Sequence, residues 1–220
     1  MRPLSELLTG DPAWPILRDE IRAARNEVRI VPCERSAGEQ ALSALQVTDR
    51  SALGAVALNT GGLLVDRGWI RVLGAPSDSG DHLLLWLGPA APAPRSEGFL
   101  VVAHDVVGGF FALDGGALEG QPGEACYLAP NTLQWEGLGK QYSGLIDWML
   151  NGDLGGFYET LRWSGWELES APLASDQALH LTPPPWTVEG RDVSKASRRA
   201  VPIREIWSLT HDLRRQLDGV

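Results

Sequence analysis

Two His-Asp dipeptides, His104-Asp105 and His211-Asp212, are the residues of this sequence whose pairing could carry chemistry. A metal-dependent phosphohydrolase built on such a pair needs further ligands from separate parts of the chain. His104 ends an apolar, strand-like run, and His211 lies in a helical segment without partners at metal-ligand spacing. The sequence therefore predicts no metal site, and because no phosphate-binding glycine motif occurs, it predicts no cofactor.

A nucleophilic serine would need a Gly-x-Ser-x-Gly turn between a strand and a helix. The nearest match is KQYSG around Ser143, which lacks the first glycine in register, and this serine is expected to cap a helix instead. Carboxylates are numerous, but each lies where a turn or a helix end would place an acid anyway. These features favour a non-enzymatic protein.

An enzyme or a small-ligand-binding protein with an unrecognised site is the alternative hypothesis. It requires a pocket in which several of four side chains converge. These candidates are His104, Asp105, Asp114 and Tyr127. If their side chains point apart into the core and the solvent, no such pocket exists.

The stretch VVGGFFALDGG, residues 106–116, resembles a phosphate-binding loop only in its glycine content. Its glycine pairs do not lead into a helix, as a phosphate loop requires. We expect a central strand covered on both faces, with a bulge or a close backbone approach at Gly108-Gly109. Asp114-Gly115-Gly116 is predicted to form the turn that follows it.

The formal net charge of the 220 residues is −9 and the pI is about 4.9. This balance argues against non-specific nucleic-acid binding and fits a cytoplasmic protein or one with a basic partner. No apolar run is long enough for a membrane span, so no membrane association is predicted.

Residues 191–215 are locally basic, and we expect them to dock on the acidic body. A phosphate or nucleic-acid patch that includes Arg198 and Arg199 is the alternative.

Helical and strand-like patterns alternate along a length that predicts one domain, residues 1–220. Helices are expected from Asp11-Pro12, over 39–46, in YSGLIDWMLNG and DLGGFYETLRW, and from Pro202 to about Leu217. Strands are expected in VRIVP, LGAVALN, GLLVD, WIRVLG, HLLLWLG, GFLVVAHD, GGFFALDG, EACYLAP, LQWEG and ALHLT. Residues 88–98 are expected to form a proline-rich surface loop. The order predicts an α+β fold with a central antiparallel sheet and packed helices.

The strings HDVVGGFFALDGG, EACYLAPNTLQWEGLGKQYSGLIDWMLNGD and FYETLRW resemble, over nearly the whole chain, an uncharacterised bacterial family named only as a domain of unknown function. Over about residues 50–160 the pattern is similar to the SUKH superfamily of α+β proteins. That resemblance implies a SUKH-like core with a C-terminal extension at about residues 170–220. Many members of that group are implied to be immunity proteins that bind toxins, and no catalytic residues come with either resemblance.

The expected role is a non-enzymatic protein-interaction module, immunity-like, that inhibits a protein toxin. An acidic surface would speed the encounter with a basic partner. Nine tryptophans are spread along the chain and are expected to anchor one shared core. An exposed aromatic edge among them leaves a homodimer open.

Overall fold

The computed structural model describes residues 1–78, 80–87, 98–118 and 120–217. Seven strands form one antiparallel sheet in which each strand pairs with the next strand along the chain. Two later strands form a separate antiparallel hairpin. The predicted α+β class with a central antiparallel sheet is confirmed.

The strands of the large sheet are β1 (Val28–Val31), β2 (Gly62–Val65), β3 (Ile70–Leu73), β4 (Phe99–Asp105), β5 (Phe110–Asp114), β6 (Glu124–Leu128) and β7 (Trp135–Gln141), and those of the hairpin are β8 (Gln177–Thr182) and β9 (Ser197–Pro202). The α-helices of the described residues are α1 (Leu4–Leu7), α2 (Trp14–Ala23), α3 (Arg35–Leu45), α4 (Ala52–Asn59), α5 (Tyr142–Asn151), α6 (Leu154–Phe157), α7 (Trp166–Ser170) and α8 (Ile203–Leu217). Short 3₁₀ segments lie at Leu83–Trp86 and Val193–Lys195.

Strand β5 shows that the large sheet is covered on both faces. All five of its residues are buried. The ring of Phe110 lies 4.8 Å from that of Trp207 in α8, whereas the ring of Phe111 lies 6.1 Å from that of Trp148 in α5. Because successive strand residues point to opposite faces, α8 and α5 cover opposite sides of β5. The expectation of a central strand in VVGGFFALDGG is confirmed.

Two predicted strands are wrong. LGAVALN belongs to helix α4, in which six of eight residues are buried and Ser51 caps the first turn by accepting a hydrogen bond from the Gly54 N–H at 3.0 Å. HLLLWLG contains the 3₁₀ segment Leu83–Trp86. A short apolar run that is buried all round has no period that separates helix from strand.

Several predicted boundaries are also corrected. Helix α2 begins at Trp14 rather than at Pro12, and Pro15 occupies its first turn. Helix α5 begins at Tyr142, so Ser143 lies inside the helix and is not its cap. Helix α6 ends at Phe157, so it is shorter than the helix predicted in DLGGFYETLRW. The proline-rich loop predicted at 88–98 lies, except for Gly98, outside the described residues.

Eight of the nine tryptophans belong to the main core cluster or pack against it, and Trp186 is the exception. Trp69 and Trp163 are buried and the other seven are partly buried, so none is exposed. Trp69 packs edge-on to Tyr158 and Trp166, with ring centroids 5.4 and 4.9 Å away. One core cluster runs from Leu17 in α2 to Ile206 in α8.

Over the described ranges, no helix combines the length and apolar character needed to cross a membrane.

Candidate functional site

Asp105 and Tyr127 are brought together at the end of β4. One carboxylate oxygen of Asp105 accepts hydrogen bonds from the backbone N–H groups of Val107 and Gly109 at 3.0 and 2.8 Å. The other oxygen accepts a hydrogen bond from the Tyr127 hydroxyl at 2.7 Å. We call this set, the Asp105 carboxylate with its three donors, the Asp105 cluster. The carboxylate therefore closes the connection between β4 and β5.

The close backbone approach expected at Gly108-Gly109 is confirmed at the Asp105 cluster. A Cβ atom on Gly109 would lie 2.2 Å from both the Asp105 carboxylate and the Tyr127 hydroxyl. Gly108 has a φ of +86°, which glycine adopts without steric cost. Both glycines precede β5, and the irregularity in the pairing of β4 with β5 lies between Val101 and Ala103 instead.

The β4–β5 connection is buried, which is unusual for a loop. The Val106 N–H donates to the Trp69 carbonyl at 3.0 Å, and the Val106 carbonyl accepts from the Leu179 N–H at 2.6 Å. These bonds satisfy backbone groups that have no access to water. They also fix the β8–β9 hairpin against the large sheet.

Burial dominates the electrostatics of the Asp105 cluster. It raises the pKa of Asp105 above its ordinary value, although the hydrogen bonds from Tyr127, Gly109 and Val107 act in the opposite direction. Burial, and then the neighbouring Asp105 carboxylate, hold the pKa of Tyr127 well above its usual range. The same two causes, in the same order, raise the pKa of Tyr158. Ionisation of Asp105 is therefore less favourable inside the fold than it is in water.

We expect Asp105 to make stability depend on pH. Its pKa is higher in the folded than in the unfolded chain, so its contribution to stability is fully present below the unfolded pKa, about 3.9. This contribution is lost as the pH rises through the folded pKa. Asp105→Asn cannot titrate, so urea unfolding from about pH 4 to about pH 8 should show a flatter profile for the variant than for the parent. Identical profiles would contradict the assignment.

His104 lies on the opposite face of the sheet from Asp105. Its Nε2 atom is 3.3 Å from a carboxylate oxygen of Asp81, and both side chains are almost completely buried. The other oxygen of Asp81 accepts hydrogen bonds from Trp86 Nε1 at 2.9 Å and from the His82 N–H at 3.1 Å. His104 and Asp105 therefore cannot act on one substrate, since the strand itself separates them.

Asp114 lies at the far end of β5 and caps the turn that follows. One of its oxygens accepts hydrogen bonds from the N–H groups of Gly116, Ala117 and Leu118 at 2.6, 3.0 and 3.0 Å. Burial acts to raise the pKa of Asp114, but these backbone bonds outweigh it and hold the pKa below its ordinary value. Of the four candidates, only Asp105 and Tyr127 meet, so these side chains do not form the predicted pocket.

Arg198 is partly buried and bonds to other residues of the fold, whereas Arg199 is exposed. Arg198 Nε donates to Glu169 at 2.8 Å, and its guanidinium lies 4.3 Å from the ring centre of Trp163. Its Nη1 donates to the carbonyls of Val193 and Ala196 at 3.0 and 2.9 Å. At this position the basic segment is docked on the body of the protein.

The two neighbouring arginines give a matched pair of variants. Arg198→Ala should lower the free energy of unfolding by about 1–3 kcal/mol, because it removes an ion pair, carbonyl contacts and the stacking on Trp163. Arg199→Ala should change it by less than about 0.5 kcal/mol. Guanidinium unfolding of both variants measures the difference, and equal losses would show that Arg198 does not hold the segment.

An arginine-lined cavity is the feature that the sequence analysis missed. It has a volume of about 330 Å³ and lies between strands β1 to β3 and the segment before β8. We call it the arginine pocket; it is lined by Glu27, Arg29, Leu64, Arg67, Gly68, Arg71, Ser170, Ala171 and Leu173. Arg29 pairs across the sheet with Leu64, and Leu64 pairs with Arg71. The available signal was the single arginine in each of two apolar strands, VRIV and IRVL.

Two other cavities differ from the arginine pocket in character. A cleft of about 560 Å³ has a polar lining that includes Arg25, Asp66, Asp153 and Arg162. A void of about 20 Å³ lies beside α8 and has a mainly apolar lining that includes Leu181 and Trp186. None of the three cavities is lined by His104, Asp105, Asp114 or Tyr127. Among the described residues, no group of three or more His, Cys, Asp or Glu side chains is arranged to hold a metal ion.

The fold and the site together define an α+β protein. The Asp105 cluster is buried within its large antiparallel sheet, and the arginine pocket opens beside strands β1 to β3. The chain belongs to the family described as protein of unknown function DUF2625, whose profile matches residues 4–206. The resemblance to an uncharacterised bacterial family is thereby confirmed.

Two relatives match most of the chain. The uncharacterised protein YbfG of Escherichia coli (strain K12) is 34% identical over 219 residues, which cover 97% of this chain and 98% of YbfG. An uncharacterised protein of Haemophilus influenzae is 34% identical over 190 residues, or 83% of this chain and 82% of that protein. No solved structure matches the chain significantly. The SUKH resemblance stays a prediction.

Proposed function

We propose that the protein is a non-enzymatic protein-interaction module, an immunity-like inhibitor of a basic protein toxin. One observation carries this proposal: the side chains best suited to catalysis are closed inside the core. His104, Asp105 and Tyr127 are 0%, 0% and 4% exposed, and they lie on two faces of the sheet. These buried groups stabilise the fold, so exposed residues would bind the protein partner.

The charge of the surface supports a basic partner. Several exposed glutamates have no ion-pair partner among the described residues: Glu6, Glu20, Glu136, Glu159 and Glu189. Arg198, by contrast, is neutralised by Glu169. With a net charge of −9, the protein would attract a basic domain over a distance of about a Debye length, roughly 8 Å at physiological salt.

Co-expression with the products of neighbouring genes tests this proposal. At least one basic product should be toxic alone and harmless in the presence of this protein. Its association rate should fall as salt rises, because the attraction is electrostatic. Charge reversal by Glu136→Lys with Glu159→Lys should slow association, and Arg22→Ala, at an exposed position of α2, is the control. If no neighbouring product binds and no toxicity is relieved, the proposal fails.

Small-ligand binding, part of the alternative hypothesis, is favoured by one specific observation, the arginine pocket. An enzyme would also need a general base or a nucleophile on its wall. The candidates there are Glu27, which lies 3.5 Å from Arg67, and Ser170, whose hydroxyl donates to the Glu167 carbonyl at 3.4 Å. These partners favour binding over catalysis.

A further inference from the structure

We propose that the arginine pocket binds the phosphate group of a small organic phosphate. This inference is independent of the proposed protein partner, because it rests on the three arginines of the pocket, on its volume and on the backbone of one turn. Arginine suits the role because its planar fork of donors matches phosphate oxygens and stays charged at neutral pH.

Arg71 forms the buried end of the pocket and has no acid in ion-pair contact among the described residues. Only 3% of its surface is exposed. Its Nη1 and Nη2 atoms donate to the carbonyls of Gln177 and Leu173 at 2.7 and 3.4 Å. Its buried Nε has no acceptor within the described part of the chain. A buried cation that meets only neutral carbonyls is costly, so an anion in the pocket would supply the missing counter-charge.

Burial does not remove the charge of Arg71. Desolvation lowers the pKa of its guanidinium to about 10, while Asp105, Asp176 and Asp81 act at longer range in the opposite direction. A group with this pKa is still protonated at neutral pH. The pocket therefore presents a full positive charge at its buried end.

Arg67 lies in a strained turn that places it at the wall of the pocket. Asp66, Arg67 and Gly68 connect β2 to β3 with φ angles of +51°, +56° and +81°. A left-handed conformation costs an ordinary residue roughly 1–2 kcal/mol, and such strain concentrates at functional sites. The Arg67 side chain is 58% exposed and touches Glu27 and Glu167 only at 3.5 and 3.9 Å. Contacts of this kind are worth at most about 1 kcal/mol, so a ligand could replace them.

Arg29 completes the set on the exposed side of the pocket. It lies in the same cross-strand row as Leu64 and Arg71. Its side chain forms no hydrogen bond or ion pair with any other described residue, and it is exposed. Arg29 is therefore free to contact a ligand without giving up a structural bond.

Charge and volume select the ligand class. Three arginines against the single acid Glu27 leave two net positive charges on the lining, which matches a phosphate monoester better than a single carboxylate. A cavity of about 330 Å³ lies at the small end of the volume range of small-ligand sites, about 300–1,000 Å³. Leu64, Ala171 and Leu173 provide an apolar wall for its organic part.

Titration calorimetry tests the proposal with inorganic phosphate, glycerol phosphate and succinate at one pH and ionic strength. Both phosphates should bind, and succinate, a dianion of similar size, should bind more weakly. Arg29→Ala and Arg67→Ala should each weaken phosphate binding about tenfold or more, or about 1.4 kcal/mol. Arg22→Ala, exposed on α2, should leave it unchanged.

Thermal unfolding separates a binding defect from a folding defect. Arg29→Ala should leave Tm without phosphate unchanged, because its side chain has no described partner. It should also reduce the rise in Tm that phosphate produces in the parent protein by binding only the folded state. The proposal is overturned if phosphate gives no heat, if succinate binds at least as tightly, or if Arg29→Ala binds phosphate like the parent.

Discussion

Asp105→Ala is expected to lower the free energy of unfolding by about 3–5 kcal/mol, the largest loss among the variants considered. The substitution removes the acceptor of three buried donors, the N–H groups of Val107 and Gly109 and the Tyr127 hydroxyl. An unpaired buried donor costs roughly 1–3 kcal/mol, and relief from burying the carboxylate offsets part of the total. Urea unfolding at neutral pH measures the loss.

Asp105→Asn is the matched control. Its side-chain oxygen can still accept from both backbone N–H groups, and its size is unchanged, so we expect a change of less than about 1.5 kcal/mol. A similar large loss in both variants would show that the negative charge, rather than hydrogen bonding, is what Asp105 contributes. Such a result would contradict the structural role given to the Asp105 cluster.

Gly109→Ala is expected to lower the free energy of unfolding by about 3 kcal/mol. The new methyl group would lie 2.2 Å from the Asp105 carboxylate and the Tyr127 hydroxyl, so one of them must move. Overpacking alone costs about 1–3 kcal/mol, and the displaced hydrogen bonds add to this cost. Thermal and urea unfolding of the variant measure the effect.

Gly10→Ala is the control for Gly109→Ala. Gly10 has no atom within 4 Å of its Cβ position and is not in the left-handed region, so the change in stability should stay within about 0.5 kcal/mol. If Gly109→Ala is equally mild, the β4–β5 connection has room that the structure does not show, and the Asp105 cluster is looser than described.

The central part of the fold could be predicted because the types of neighbouring residues there are enough to indicate the backbone conformation. GGFFALDG combines a strand of apolar residues with glycines at a close approach and at a turn, and each of these features reappears in β5 and its flanks. LGAVALN failed because α4 is apolar on all sides. Such a run carries no helical stripe, and only its neighbours in three dimensions decide its conformation.

The candidate site was less accessible to sequence reasoning. The adjacency of His104 and Asp105 suggested a shared role, but adjacent strand residues point to opposite faces. The arginine pocket depends on the register that aligns Arg29, Leu64 and Arg71 across three strands. The register is set by long-range strand pairing and by the turn at Asp66–Gly68, so it could not be predicted from a local sequence pattern.

The central claim is that the Asp105 cluster is a closed part of the fold and not a site that opens to a ligand. Native-state hydrogen exchange at the Val107 and Gly109 amides tests it most directly. We expect both amides to exchange only through global unfolding, with an opening free energy equal to that from urea unfolding. Exchange through a local opening that costs several kcal/mol less would contradict the claim, because it would give the cluster access to solvent and substrate.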